Sequence, residues 1–499
     1  MSGTAAASRR WAGVWPYLPG AAILLALYAV TVARGGRFLF EERFLIMQAL
    51  DPRSLGNDVI PSLLSLHIQP PLMNALYFLT DSAPERLGWV MLAAALATTV
   101  LVVDTVRASG RGDRWAAAAG AFYALLPATV LYSLFPYSTT VTALFAMVTV
   151  WGVARIRTWH GAGVALSAMG MGGLFLTRAS FTWWVALAWL AVLAVLAIRA
   201  RGHAAARTVA IATVVLVGAG VVAVQVHYWA AFRVPALSSW SGENLSNALI
   251  EVGLSDEAKA ALSGQDPCFA QLIAARAWGP ADLYGPCLDP ADEVKAGTPV
   301  LELAERPGPS MGINYNAGNR LRLADDWTRF AQAAVMAEPS ALVRVVVGNG
   351  ELDGSLARFL GRSDVYFETL DIQKASTPWL WNILALWSAA FPVLAWLVVL
   401  AAAVRALVQR ATRAWLPREF WFASALLVVH AVPSILGDFG ENQRFRAELD
   451  PVLVVAMVLG LGALVTVRRA PGPATEDGSV AGEVRDDRAR TGHSAPRSG

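Results

Sequence analysis

Charged residues are scarce in this sequence: they make up 15% of its 499 residues, whereas hydrophobic residues make up 56%. Average soluble proteins carry roughly 25% charged residues, so the composition excludes an ordinary soluble domain and predicts an integral membrane protein. Lysine occurs only at Lys259, Lys295 and Lys374, so nearly all of the basic charge is arginine. The arginines form short clusters between apolar runs, and this pattern does not indicate nucleic-acid binding.

Cysteine is equally rare, with only Cys268 and Cys287, and no histidine lies close to either. This pattern argues against a metal site. A disulfide between them and two unpaired thiols are the alternatives, and we expect the disulfide because their segment is predicted to face an oxidising compartment. The sequence also lacks a glycine-rich phosphate loop, a Walker motif, an HExxH motif and a Ser-His-Asp spacing. It therefore gives no support for ATP-driven transport.

Apolar runs long enough to cross a bilayer need about 20 residues. Ten are present, near 14–34, 86–106, 115–134, 138–156, 161–177, 180–198, 207–227, 379–404, 419–437 and 449–467. The first run lacks a convincing cleavage site and is predicted to be a span, not a signal peptide. With ten spans, the arginine clusters that precede the first span and follow the second, fourth, sixth, eighth and tenth all fall on one side, which the positive-inside rule makes the cytoplasm.

The predicted fold class is an all-α polytopic membrane protein with about ten transmembrane helices, a long first external loop and an external mixed segment of about 150 residues. Five regions follow: a cytoplasmic N-terminus, seven spans including the external loop 35–85, an external domain, three spans, and a disordered cytoplasmic tail. Their boundaries are 1–13, 14–227, 228–378, 379–469 and 470–499.

Polar residues suited to catalysis or ligand binding collect on the predicted external face. They are the acids Glu41, Glu42 and Asp58, then His67 and Arg178, and last Glu441, Arg444 and Arg446. The last two arginines oppose the positive-inside bias, and a guanidinium offers a planar fork of donors to a lipid phosphate. The alternatives are an ion pair with Glu441 or Glu448, and for Arg178 a helix-end residue whose charge reaches the membrane surface. Asp104 and His430 are expected to be structural.

Three short motifs resemble those of the C-type (GT-C) glycosyltransferases, which include the protein-mannosyl and aminoarabinose transferases. Glu41-Glu42-Arg43-Phe44 is similar to their D-E-x-Y pattern, with Glu where Asp is usual. His67-Ile68-Gln69-Pro70-Pro71-Leu72 looks like an interrupted H-P-P-L. The stretch from Glu441 to Arg446 resembles their late external R-[YF] element, and the three occur in the family's order on the predicted external face.

The resemblance implies inverting transfer of a sugar from a polyprenyl-phosphate donor to a glycan, lipid or protein acceptor outside the cell membrane. Glu41 would be the general base, although Glu42 remains an alternative, and Glu42 with His67 would orient a substrate. Arg444, with Arg446 or Arg178, would hold the phosphate, and Glu441 and Asp58 would line the substrate site. No cofactor is assigned, and a divalent cation is left open.

Two other classes of function compete with an enzyme. A transporter or lipid flippase needs polar residues along a path through its spans, whereas here they gather on one face. A non-catalytic assembly protein, whose external domain binds a cell-wall partner, predicts that the acids are dispensable.

Overall fold

The structure is a computed structural model that describes residues 13–36, 38, 59–66, 68, 70–80, 83–199, 204–233, 238–275, 281–287, 316, 318–348, 354–361, 378–409, 416–436 and 442–465. All regular structure within these residues is helical. Seven of the described helices are long and apolar enough to cross a membrane, or up to nine if each of two bent helix pairs is one span. The chain is thus an all-helical polytopic membrane protein, which confirms the class predicted from composition.

The helices of the first half follow the predicted apolar runs, except for two short ones between residues 59 and 79, which lie within the predicted external loop 35–85. After a 3₁₀ turn at Trp15–Tyr17 they are α1 (Leu18–Ala33), α2 (Val59–Leu64), α3 (Leu72–Leu79), α4 (Pro84–Ala108), α5 (Asp113–Ala124), α6 (Pro127–Ser133), α7 (Thr139–Thr177), α8 (Trp183–Arg199) and α9 (Ala204–Phe232). Helices α5 and α6 form a pair bent by 58°. Pro127 begins α6, where its missing N–H breaks no intrahelical hydrogen bond.

The second half begins with short helices and ends with three long apolar ones. In order they are α10 (Trp240–Ala248), a π-helical turn (Leu249–Gly253), α11 (Asp256–Gln265), α12 (Pro267–Ala275), a 3₁₀ turn (Ala281–Cys287), α13 (Asn319–Ala337), α14 (Ser340–Val347), α15 (Ser355–Leu360), α16 (Pro378–Val408), α17 (Arg418–Leu436) and α18 (Asn442–Val465).

Helix α7 is a helical hairpin, because its backbone leaves the helical region at His160 (φ 34°, ψ −101°). A Cβ built on Gly163 would meet the backbone of Ile156, and one on Gly170 would meet Thr149. These contacts run antiparallel, so residues 139–159 and 161–177 pack side by side at glycines, as close-packed membrane helices do. Two of the predicted apolar runs therefore correspond to the two arms of α7.

One end of the helical bundle is organised around Asp104, near the end of α4, and we call it the Asp104 end. The Asp104 carboxylate accepts hydrogen bonds from Tyr17 Oη at 2.7 Å and from Arg155 Nε at 3.0 Å. Two nearby arginines donate to carbonyl oxygens in the last two turns of α18. Arg111 donates to Leu459 O at 3.0 Å and Arg405 donates to Leu464 O at 3.1 Å.

The opposite end contains Phe445, in the first turn of α18, and we call it the Phe445 end. Phe445 and Leu464 are separated along α18 by about 28 Å at 1.5 Å per residue. This distance matches the roughly 30 Å hydrocarbon thickness of a bilayer. The arginines predicted to be cytoplasmic and those predicted to be external therefore lie at opposite ends of the same helices.

The described part of segment 228–378 has its own apolar core, and every regular element described between α9 and α16 is helical. Trp327, Phe330 and Phe269 pack at its centre, with the Phe269 and Phe330 ring centroids 5.4 Å apart. A disulfide joins Cys268 and Cys287, whose Cα atoms are 4.8 Å apart. The predicted tail at 470–499, and all of the predicted N-terminal segment except Gly13, lie outside the described residues.

Candidate functional site

Arg178 and Glu448 form the centre of the polar group at the Phe445 end. Arg178 follows the last residue of α7, and its Nε lies 2.8 Å from the Glu448 carboxylate, in the second turn of α18. The Arg178 guanidinium also lies 3.9 Å from the centroid of the Phe445 ring. Glu448 is fully buried and 14% of the Arg178 side chain is exposed. Arg178 is therefore held by a carboxylate and an aromatic face, in place of the solvated helix end that was its alternative.

Arg444 lies close to the same ring. Its guanidinium is 5.0 Å from the centroid of Phe445 and 4.3 Å from the centroid of Tyr137. Tyr137 belongs to the short turn between α6 and α7, and both it and Arg444 are buried. Stacking on aromatic faces suits guanidinium because it is planar and weakly hydrated. Two arginines predicted to bind phosphate, Arg178 and Arg444, thus share Phe445.

His430 supports this arrangement from α17. Its Nε2 lies 2.9 Å from the carbonyl oxygen of Phe445 and 3.4 Å from the Glu448 carboxylate. Its Nδ1 lies 2.9 Å from Ser180 Oγ. Because a carbonyl oxygen only accepts, Nε2 carries the proton, and Nδ1 of the neutral ring then accepts from Ser180. His430 joins the turn after α7 to the start of α18, in agreement with the structural role expected for it.

Arg446 has different partners from Arg444. It lies two residues further along α18, about 200° around the helix, and it is 2% exposed. Its Nε is 3.1 Å from Asp450 Oδ1, and its Nη1 donates to the carbonyl oxygens of Phe359 and Gly361. The predicted alternatives for this arginine were Glu441 and Glu448, so the observed carboxylate partner is one that the sequence argument did not consider.

Residues 39–58 hold Glu41, Glu42 and Asp58, and we call them the acidic loop. The described residues on either side of this loop also lie at the Phe445 end. Phe38, before the loop, packs with Met73 and Tyr77 of α3. Helix α3 packs in turn against Val141, four residues after the Tyr137 that holds Arg444. The two ends of the loop therefore reach the part of the bundle where Arg178 and Arg444 are found.

Leu64, Leu66 and Ile68, just before the Pro-Pro pair, are hydrogen-bonded to distant parts of the chain. Ser238 Oγ donates to Ile68 O at 2.6 Å, and the Ile68 N–H donates to Asn316 Oδ1 at 3.3 Å. His227 Nε2 lies 3.1 Å from Leu64 O, and Tyr228 Oη donates to Leu66 O. This stretch is thus bonded both to the end of α9 and to the segment that was predicted to be external.

Five predicted site residues lie outside the described residues: Glu41, Glu42, Asp58, His67 and Glu441. Among the described residues, one group has three side chains close enough to share a metal ion, namely Cys268, Cys287 and Asp326. Both sulfurs are in the disulfide and offer no thiolate. This group is therefore not a metal centre. The acids of the acidic loop remain the candidates for binding a divalent cation.

Sequence reasoning missed the aromatic partners of the arginines and the role of Glu448. A partial signal was available, because Phe445 and Glu448 are three residues apart and so share one face of α18. Tyr137 carried no such signal, since its contact with Arg444 joins residues more than 300 positions apart in the sequence.

Compared with protein-family models, with curated proteins and with solved structures, the chain matches none of them.

Proposed function

We propose that this chain is a GT-C-like membrane glycosyltransferase that moves a sugar from a polyprenyl-phosphate donor to an acceptor on the outer face of the cell membrane. The proposed topology has ten crossings with both termini in the cytoplasm. In support, each predicted apolar run coincides with a described helix, the two arms of α7, or the α5–α6 pair. The arginine-rich Asp104 end would face the cytoplasm.

The observation that carries the proposal is the pair of arginines around Phe445. The guanidinium groups of Arg178 and Arg444 both lie within 5.0 Å of the centroid of the Phe445 ring, and each is a planar fork of donors suited to phosphate. The flanks of the acidic loop lie at the same end of the bundle. A base on the loop and cations on the bundle are the two components that displacement of a lipid phosphate requires.

In the proposed reaction Glu41 accepts the proton of the acceptor hydroxyl as its oxygen attacks the anomeric carbon. The bond between that carbon and the phosphate oxygen breaks, and the polyprenyl phosphate leaves with the electron pair. Inversion follows from attack opposite the leaving group. Arg444 and Arg178 stabilise the negative charge that develops on the phosphate, while Glu42 and His67 orient the substrates.

A transporter receives less support from the described residues. Between the two ends, the bundle is filled by an apolar core to which Val102, Met147, Leu174 and Val455 belong. Among the described spans, the buried ionisable side chains lie in two groups: Asp104 and Glu419 towards one end, and His430, Arg444, Arg446, Glu448 and Asp450 at or beside the first three turns of α18. A transport path would need polar groups near the bilayer centre.

The experiment that tests the proposal is donor cleavage by the purified full-length chain in nanodiscs. Polyprenyl-phosphate sugars radiolabelled in the polyprenyl chain are supplied with an envelope extract as acceptor, and free polyprenyl phosphate is measured. We expect release that depends on both the protein and the acceptor. Failure of a panel of hexose and pentose donors to release any polyprenyl phosphate would contradict the proposal.

A further inference from the structure

Helix α14 carries apolar residues on two opposite sides. Ala341 and Val345 are buried in the core of the segment between α9 and α16. Val343 and Val347, about 200° away around the helix, are 61% and 60% exposed. Helices that are apolar all round are normally covered on all sides. A water-facing role for Val343 and Val347 is therefore unfavourable, and something apolar should cover them.

Helix α15, which follows α14, enters the membrane bundle. The ring of its buried Phe359 lies 6.4 Å, centroid to centroid, from that of Trp396. Trp396 is about 27 Å along α16 from Pro378, at 1.5 Å per residue. Ala402, not quite two turns further on, faces Gly460 near the far end of α18. Trp396 lies 10 residues, about 15 Å, beyond Leu386, where the apolar span of α16 begins, so Phe359 packs beside the apolar part of the bundle.

Arg446 explains how α15 is tolerated at this depth. The last carbonyl groups of a helix have no partner within the helix, and lipid cannot supply one. Arg446 donates to the carbonyl oxygens of Phe359 and Gly361, at the end of α15, while Asp450 balances its charge. The buried ion pair thus satisfies the backbone of a short helix surrounded by membrane spans.

The connection between the two helices keeps α14 beside this inserted element. A Cβ built on Gly354 would meet the backbone of Val347 and Gly348, so the end of α14 touches the start of α15. Arg344 turns away from the exposed valines, donating to Gly253 O at 2.6 Å and to the Glu338 carboxylate. An apolar face, with the charged group of a basic side chain directed away from it as in Arg344, is typical of helices that lie in a membrane interface.

We propose that α14 and α15 form a re-entrant element in the leaflet at the Phe445 end. In it α15 is inserted between the spans, while Val343 and Val347 lie against lipid acyl chains. Helix α14 packs beside α17, whose exposed Val428 and Val432 belong to the lipid-facing surface of the bundle. The valines of α14 extend that surface. This element does not depend on glycosyl transfer, and it anchors the segment between α9 and α16 to the bilayer.

Nitroxide scanning of the full-length chain in nanodiscs tests this directly. The only two cysteines form a disulfide, so Val343→Cys or Val347→Cys supplies a single free thiol for labelling. Val432→Cys is the bilayer control, and Ala260→Cys, exposed on α11, is the aqueous control. Collision rates with oxygen and with a water-soluble nickel chelate are measured at each site. Gel filtration and retention of the disulfide establish that each variant is folded.

We expect both α14 probes to show high collision rates with oxygen and low collision rates with the nickel chelate. On a logarithmic scale, the ratio of the oxygen rate to the nickel rate should be nearer to that of Val432→Cys than to that of Ala260→Cys. A ratio nearer to that of Ala260→Cys at either position would overturn the proposal, because the valines would then face water. Low collision with both reagents would overturn it too, because the valines would then be covered by protein.

Discussion

Arg178 and Glu448 are 270 residues apart in the chain, yet their side chains meet at 2.8 Å at the Phe445 end. The contact joins the end of α7 to the second turn of α18. His430 lies 3.4 Å from the same carboxylate, so Glu448 connects α7, α17 and α18. This junction holds Phe445 between Arg178 and Arg444, and the proposed phosphate site depends on it.

The first prediction concerns the stability of that junction. Glu448→Gln leaves Arg178 with a neutral partner in a buried position, and breaking a buried ion pair typically costs about 3–5 kcal/mol. Because Arg178 keeps some solvent contact, we expect a loss near 3 kcal/mol. The measurement is the unfolding midpoint in detergent. The control is Asp325→Asn, which removes an exposed carboxylate on α13; an equal loss in both variants would mean that the junction contributes nothing specific.

The second prediction concerns donor binding by Arg444. A hydrogen bond to a charged group is worth about 1.5–3 kcal/mol, so Arg444→Ala should weaken binding of a polyprenyl phosphate by about 10- to 100-fold. Binding of the matching uncharged polyprenol should not change. Arg444→Lys should lie between, since it keeps the charge but loses the planar stack on Tyr137. Arg157→Ala removes an exposed arginine and is the control; unchanged phosphate affinity in Arg444→Ala would contradict the assignment.

The third prediction concerns the disulfide between Cys268 and Cys287. Closing a loop of this size restricts the unfolded chain and stabilises the domain by about 3 kcal/mol. The double variant Cys268→Ser/Cys287→Ser should lose that amount while the membrane helices remain folded. Mass spectrometry of unreduced, alkylated protein gives the pairing. Alkylation of both sulfurs without reductant would show that the bond is absent from the native protein.

The fourth prediction concerns pH. Glu338 accepts hydrogen bonds from the backbone N–H and the hydroxyl of Ser255 and from Arg344, and the pKa of its carboxyl is lowered by the Ser255 N–H first and by Arg344 second. A carboxyl with a lowered folded-state pKa stabilises the fold above its unfolded pKa, and the contribution is lost as pH falls through the folded value.

Stability of the segment around α11 and α14 should therefore decline as pH falls below 4.5, the ordinary value for this carboxyl. Glu338→Gln should be less stable than the wild type at neutral pH and should show a shallower decline in acid. Unfolding midpoints measured between about pH 3 and pH 7 check this. Parallel curves for the two proteins would show that Glu338 is not the responsible group.

The sequence predicted where the long apolar helices lie because runs of about 20 apolar residues have few other uses. It also separated the two arms of α7, since the polar stretch from Arg155 to His160 interrupts the apolar pattern. The partners of the arginines were less accessible. Arg178 meets Glu448 only through tertiary packing, and nothing local distinguishes that contact from one with solvent.

The contact between α15 and the long apolar helices was not predicted for a related reason. The six residues of α15 are too few to read as a membrane segment, so all of 228–378 was expected to be external. Its position follows from Phe359 packing near Trp396 and from Arg446 bonding its final carbonyls. Arg446 was one of the candidates for binding phosphate. Its spacing from Arg444 in the sequence does not indicate which neighbours each side chain contacts.

The central claim is tested most directly by the rate of sugar transfer in Glu41→Gln. This change keeps the size and polarity of the side chain but removes the base, so transfer should fall by about 10²–10⁴, while the affinity for polyprenyl phosphate stays at the wild-type value. Glu42→Gln, the neighbouring control, should be milder. If Glu42→Gln is the inactive variant and Glu41→Gln is active, the two roles are exchanged. Wild-type transfer rates in both variants would contradict the account.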